Sequence, residues 1–254
     1  MTTRADIFLV EHGYAASRTE SQAAIRAGKV RAGGKPVSKP SQAIAERAPI
    51  EYEKPHPYVS RGALKLAAAL DRFELSPAGR VCIDVGASTG GFTEILLQRG
   101  ASKVFAVDVG HGQLHPRLAA DPRVVSLERM DARKLEIPER ANVAVVDVSF
   151  IGLKLVLPSV MACMACAAWL VALVKPQFEV GRGNIGKGGI VRSDVAQAGA
   201  LQSIADWIAG QPNWTVIGAM DSPVLGGDGN REFLVAAISQ MNSTRPIREG
   251  YRRP

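Results

Sequence analysis

Val81-Cys82-Ile83-Asp84-Val85-Gly86-Ala87-Ser88-Thr89-Gly90-Gly91-Phe92-Thr93 sets an apolar strand, a glycine-rich turn and a helix start in one continuous stretch. Glycines at such a turn let backbone approach a ligand with no Cβ in the way, and the helix start offers free N–H groups. The spacing is not G-x-G-x-x-G, and no Lys-Ser/Thr pair follows as a phosphate-binding P-loop requires. From Tyr58 onward, helical and buried-strand patterns alternate, which predicts an α/β fold with a doubly wound, Rossmann-like, seven-stranded sheet. Strands are expected near 81–85, 103–108, 124–128, 142–147, 169–174, 214–221 and 231–238. The last two are expected to pair antiparallel, because Ser222 to Asn230 between them is Gly-rich and lacks helical periodicity.

D-x-G-x-x-x-G-G-F-T suits a ligand carrying an amino-acid carboxylate and a sulfonium better than one carrying a pyrophosphate. The next strand ends in Asp108, about twenty residues beyond the loop, where related sheets hydrogen-bond a ribose diol. Asp131 follows the third strand, placed to accept the exocyclic amine of an adenine. Together these predict S-adenosyl-L-methionine as cofactor, held by Asp84, Gly86, Ser88, Thr89, Gly90, Gly91, Phe92, Asp108, Val109, Asp131, Ala132 and Asp147. A nicotinamide-binding sheet is the alternative, and the glycine spacing argues against it.

Four residues far apart in the chain converge on the same cleft in this topology. Asp147 ends the apolar strand Val143 to Val148, and Lys175 ends the next one, before Pro176-Gln177-Phe178-Glu179. Glu232 opens the last strand after the Gly226 to Asn230 turn, and Lys65 comes from the first helix, in Ser60-Arg61-Gly62-Ala63-Leu64-Lys65-Leu66. A ribose 2′-hydroxyl is a poor nucleophile at neutral pH, so methyl transfer to it needs a base and an aligned geometry. A lysine can be that base where a second cation and partial burial lower its proton affinity. Lys175 is the candidate base, with Lys65 as the second cation orienting the ribose and Asp147 and Glu232 positioning the two ammonium groups. Each residue taken alone reads as a surface salt bridge; the joint placement carries the assignment.

The net charge of +7 is uneven. Residues 1–60 hold nine Lys/Arg against six Asp/Glu, residues 61–244 eighteen against seventeen, and residues 245–254 four against one. Basic ends on a near-neutral core fit a polyanionic partner, although a solvated basic surface has the same composition. Residues 1–55 read as a compact unit, with helices over Arg4–Glu11 and Glu20–Ala27, the second opened by Thr19 and closed by Gly28. A hairpin follows around Gly33-Gly34. The proline-bearing segment at 56–60 is a short linker, residues 61–242 form the larger domain and residues 243–254 a basic tail. The candidate RNA contacts are Arg4, Arg18, Arg26, Lys29, Arg31, Lys35 and Arg61, with Arg182 and Lys187 on the glycine-rich loop Gly181 to Asp194, read as a mobile substrate loop or a plain connector.

Leu155 to Val174 is twenty residues without a charge, long enough to span a bilayer. Pro158-Ser159 reads as a helix start and Trp169 to Val174 as a buried strand, so the run divides into crossover helix and central strand, with a membrane segment as the alternative. The N-terminus lacks a secretory signal, which places the protein in the cytoplasm. Cys163 and Cys166 form a C-x-x-C without the further ligands zinc takes, so both read as buried small side chains and no metal is expected.

Two resemblances add to this reading. Arg4, Asp6, Leu9, Val10, Gly13, Ser17, Arg18, Ala24, Ile25, Gly28, Val30, Gly34, Lys35 and Val37 resemble the alpha-L RNA-binding domain of a ribosomal small-subunit protein, with Gly33 where Asn is common and Ala5 where Leu is common. The Lys-Asp-Lys-Glu set, D-V-G-A-S-T-G-G-F-T, V-D-V-G-x-G-Q-L from Val107, L-V-K-P-Q-F-E and G-N-x-E-F-L from Gly229 resemble the FtsJ-related TlyA family, over about residues 4–240. Those proteins are described as rRNA 2′-O-methyltransferases and, historically, as haemolysins. The resemblance implies cytidine ribose methylation in rRNA of one or both ribosomal subunits, with the N-terminal domain docking the substrate. Asp131 stands where some relatives carry Asn. Two other readings remain, a binding protein with an idle catalytic set and a membrane-active protein.

Overall fold

The computed structural model describes residues 2–15, 17–226 and 229–240, and Arg182 by its backbone alone. The chain forms two compact units, Met1–Pro57 and Tyr58–Pro254. The basic tail expected at 243–254 lies outside the described residues.

In the first unit the described elements are β1 (Thr2–Arg4), α1 (Ala5–Glu11), α2 (Arg18–Arg26), β2 (Val30–Ala32), β3 (Lys35–Pro36), β4 (Ala43–Ala45) and β5 (Ile50–Tyr52). Phe8, Leu9, Ala24, Ile25, Val30, Val37 and Ile44 form its small core. The second helix begins earlier than Thr19, because the Ser17 hydroxyl accepts from the Glu20 amide at 3.2 Å and caps it. Arg4 belongs to β1 and is not the first helical residue. Gly33 and Gly34 have φ of 57° and 74°, the doubly left-handed geometry of a two-residue hairpin between β2 and β3.

The second unit starts with α3 (Gly62–Arg72) and then alternates β6 (Val81–Val85), α4 (Gly91–Gln98), β7 (Lys103–Val107), α5 (Pro116–Ala119), β8 (Val124–Leu127), β9 (Ala141–Val146), α6 (Leu153–Ala162), β10 (Met164–Val174), α7 (Pro176–Glu179), α8 (Asp194–Ala209), β11 (Trp214–Asp221) and β12 (Phe233–Ser239). Among the described residues the sheet order is β11-β12-β10-β9-β6-β7-β8, parallel except for β12, which runs antiparallel to both neighbours. Both faces are covered, so consecutive strand residues go to opposite cores. Ile83, Ala144, Val146 and Leu170 pack with α6 and α8, while Cys82, Val143, Val145 and Val171 pack with α3 and α4.

The uncharged run divides into α6 and β10, and no helix among the described residues is long and apolar enough to cross a membrane. Its division differs from expectation in one respect: α6 starts at Leu153, and Pro158 lies inside it. Leu153, Val156, Leu157 and Val160, at i, i+3, i+4 and i+7, bury one face, and that burial outweighs the single hydrogen bond proline removes. Strand β10 begins at Met164, but its register with β9 shifts between Met164 and Trp169, where Ala167 has φ of 55°. That irregularity turns Cys166 outward, so the expectation of two buried cysteines holds for Cys163 only.

Candidate active site

Sheet topology brings the site together. The chain leaves β6 toward β7 on one side, while β9 returns on the other, and ligands bind outside the carboxyl ends of strands at such a switch point. The glycine loop follows β6, Asp108 follows β7, Asp147 follows β9 and Lys175 follows β10. Because β12 is antiparallel, its start lies at the same edge and delivers Glu232 there.

Two ion pairs stand at this edge. Lys65 Nζ donates to Glu232 Oε2 at 2.5 Å, with the residues 8% and 3% exposed. Lys175, also 8% exposed, donates from Nζ to the Ser149 hydroxyl at 2.8 Å and meets Asp147 Oδ1 at 2.6 Å. The second approach is too oblique for a hydrogen bond, so the Asp147 contact is Coulombic and the hydroxyl fixes the ammonium direction. Ser149 had no role in the sequence reading; its signal was its place two residues after a strand-end acid. A side chain at Gly226 would run into the Glu232 carboxylate, so the glycine turn leaves room for this pair.

Two cavities open at the pairs and share Gly86, Ser88 and Asp147. The smaller, 220 Å³, is lined by Lys65, Arg61, Thr89, Gly91 and Phe92 besides the shared residues. The larger, 490 Å³, runs past Asp108, Val109, Asp131, Ala132, Ser149 and Phe150. Lys175 and Glu232 stand behind Asp147 and Lys65 and do not line either cavity. Gly86 has φ of 83°, and any side chain there would strike the Asp147 carbonyl, so the loop and the reacting edge can approach only through glycine.

The expected cofactor residues take different positions. Asp108 accepts from the Ser88 amide at 2.8 Å and from the Gly110 amide at 2.7 Å, which fixes the turn around it. Asp131 caps a short 3₁₀ turn and pairs with Arg133 at 2.6 Å, and hydrogen bonds from Arg133 lower its pKa to about 2. Gly90 is the left-handed cap of α4 and is not among the residues lining these two cavities. Asp84 lies behind the loop, fully buried, accepting from the Thr93 hydroxyl at 2.6 Å while its Oδ1 has no partner. Burial pushes its carboxyl up to about 7, the Thr93 bond opposes this, and the nearby charges of Asp147 and Asp108 add to it. Phe150, which the sequence reading also left without a role, is 92% exposed with φ of 66°, beside Phe178 at 5.2 Å between ring centres. Among the described residues no cluster of three His, Cys, Asp or Glu could hold a metal ion.

The expected RNA contacts divide in the same way. Arg4 and Arg18 do not project freely: both reach the buried Asp6, at 3.0 and 2.9 Å. Arg26 bonds Gln22 at 3.4 Å, Lys29 pairs with Glu53, and Arg31 donates to the Gly34 carbonyl at 2.7 Å. Lys35 and Lys187 are exposed, and Arg61 stands at the N-terminus of α3.

Residues 58–238 match the FtsJ-like methyltransferase family and residues 3–47 the S4 domain. The chain belongs to the FtsJ-like methyltransferase family and carries an S4 domain ahead of it. Over 237 residues it is 45% identical to the 16S/23S rRNA (cytidine-2'-O)-methyltransferase TlyA of Mycobacterium tuberculosis, covering 91% of this chain and 88% of that one. It is 39% identical over 246 residues to Hemolysin A of Brachyspira hyodysenteriae, covering 92% of this chain and 99% of the relative. A solved Streptococcus thermophilus protein described as a hemolysin superposes with a TM-score of 0.75 at 38% identity, covering 94% of this chain and 89% of that one.

Proposed function

We propose that this chain transfers a methyl group from S-adenosyl-L-methionine to a ribose 2′-hydroxyl of ribosomal RNA, at a cytidine, in the cytoplasm. The observation that carries this reading is the pair of buried lysines, each held by its own acid, beside two cavities that meet at Asp147 and the glycine loop. The cofactor fits the chemistry of the larger cavity, whose volume lies within the range of about 300–1,000 Å³ usual for small-molecule sites. Asp108 and Asp131 are acceptors for a ribose diol and an adenine amine, and Gly91 and Phe92 at the start of α4 line the adjoining smaller cavity, where the amino-acid end would lie. When bound, the cofactor supplies an electrophilic methyl on a sulfonium.

Lys175, once its ammonium has given up one proton to solvent, would take the 2′-hydroxyl proton on Nζ as the oxygen bonds to the methyl carbon, and would then release that proton to solvent. Asp147 and Ser149 aim that amine from the cavity wall, and Lys65, fixed by Glu232, orients the ribose. Phe150 offers an exposed ring on which a base can stack. The Arg61, Lys35, Arg26, Lys29, Arg31 and Lys187 side chains hold phosphates, and the S4 unit docks the RNA.

The test is tritiated methyl transfer to ribosomal subunits purified from a strain lacking this gene, with wild type and Lys175→Ala. Transfer to ribose that disappears in the variant is expected. A wild-type chain that binds cofactor yet labels neither subunit would remove ribosomal RNA from the reading. The names of two relatives favour a second activity, membrane damage. Vesicle leakage caused equally by wild type and Lys175→Ala would establish it as separate from methylation.

A further inference from the structure

The segment from Gly181 to Asp194 does not hang free of the fold. Gly186 donates to the Ile190 carbonyl at 2.9 Å, Gly189 donates to the Gly186 carbonyl at 3.1 Å, and Val191 is buried. One side chain holds this turn from outside. Asn230, 2% exposed, accepts from the Val191 amide at 3.0 Å on Oδ1 and donates from Nδ2 to the Gly189 carbonyl at 3.0 Å. Reading the carbonyl of one residue and the amide two further on is how a neighbouring strand would engage this backbone, so a single amide here replaces a strand pairing. Gln197 completes the clasp, donating to the Val191 carbonyl at 2.7 Å.

Asn230 is also two residues from Glu232. Its own carbonyl accepts from Gly226 at 2.9 Å, closing the glycine turn that leaves space for the Glu232 carboxylate. The turn bearing Lys187 and Arg192, both exposed, is therefore tied through one buried residue to the strand start that holds Lys65.

We propose that Asn230 is a positioning residue: it sets the Lys187–Arg192 turn against the start of β12, so that the two cations hold an RNA phosphate in register with the Lys65–Glu232 pair. This rests on the RNA methyltransferase reading above. Asn230 does not touch the reacting atoms, and its effect on turnover runs through the turn. A phosphate-holding turn changes apparent substrate affinity and its salt dependence, whereas a residue that only supports the fold changes neither selectively.

The experiment compares wild type, Asn230→Ala, Asn230→Asp and Lys187→Ala/Arg192→Ala, alone and combined, by steady-state methylation of ribosomal subunits across a salt series and by amide hydrogen exchange. Asn230→Ala is expected to raise KM for subunits about 10-fold, and to lower the salt slope by about one to two, as loss of one or two phosphate contacts does. Cofactor affinity should stay within twofold. The aspartate keeps the acceptor for Val191 but loses the donor to Gly189, so its effect should be intermediate. Combined with the cation deletions, Asn230→Ala should add little, because both remove the same phosphate contacts. Additive effects, or a fall in kcat and cofactor affinity at unchanged KM, would overturn the proposal. Exchange at the Val191 amide must quicken in Asn230→Ala whatever the substrate; unchanged exchange refutes the clasp itself. A wild-type chain without methyl transfer would refute the methyltransferase reading, with the clasp still judged by exchange.

Discussion

Among the described residues each unit buries one aspartate completely, and the two are treated oppositely. Asp6 in the first unit collects Arg4, Arg18 and Gln22 on its two oxygens, and hydrogen bonding from Arg4 drives its pKa far below the usual carboxylate range. Asp84 in the second has one hydroxyl, no cation and one bare oxygen, and burial drives its pKa the other way. A buried acid saturated by cations ties segments together, here α1 to α2. One left short of partners next to a ligand loop carries an unspent preference for protonation. The buried lysines extend the contrast, since each has a carboxylate partner; Lys65 lines the smaller cavity itself, and Lys175 stands behind Asp147, which lines both.

The comparison is tested most severely at the lysines. Alanine at Lys175 or Lys65 should slow single-turnover methylation by about 10²- to 10⁴-fold, the scale of a lost acid–base group, with cofactor affinity retained in calorimetric titration. An effect confined to KM would reassign both to binding.

Asp84→Asn should come next. Below pH 4 the wild-type carboxyl is protonated in both folded and unfolded chains. Between pH 4 and about 7 the unfolded chain loses that proton first, so wild-type stability falls across this window and the loss is complete above it. The stability of wild type minus that of the variant should therefore decline over the window, by as much as about 4 kcal/mol at ~1.4 kcal/mol per unit. A flat difference would mean that Asp84 is ionised throughout.

Asp6 should slope the other way, with its stabilisation present above pH 4 and lost as pH falls. Asp6→Ala should cost the first unit about 1–3 kcal/mol, the range for a hydrogen-bonded charge whose half-exposed arginine partners are screened. Faster exchange of α2 amides and a raised KM for RNA, at unchanged kcat, are the expected readouts. Unaltered exchange would return Arg4 and Arg18 to the list of free RNA contacts.

The smallest effects should come from the outward cations. Alanine at Lys35 should weaken RNA binding evenly across sequences and lower the salt slope by about one. No change in slope would place RNA elsewhere on the unit.

Periodicity made the sheet legible, because a central strand such as β6, buried on both faces, reads as a continuous apolar run, while the edge strand β11 alternates half-buried and exposed residues; both have the expected boundaries. It misplaced the start of α6, since proline is a local signal and the buried face of that helix is a tertiary one. Arg18 shows the same limit. Its charge suggested an RNA contact, and no local pattern showed that Asp6, twelve residues away, also holds its guanidinium.

The sequence by itself determined the residue types at strand ends, and parallel topology with one antiparallel strand brings those ends to one edge. That is why Asp147, Lys175 and Glu232 could be named together, with Lys65 joined to them from α3. Only the tertiary structure decided how they pair, that Ser149 fixes the direction of Lys175, and that Asn230 clasps a turn forty residues away. Such contacts depend on side-chain directions and on backbone groups left open after folding, which no local pattern encodes.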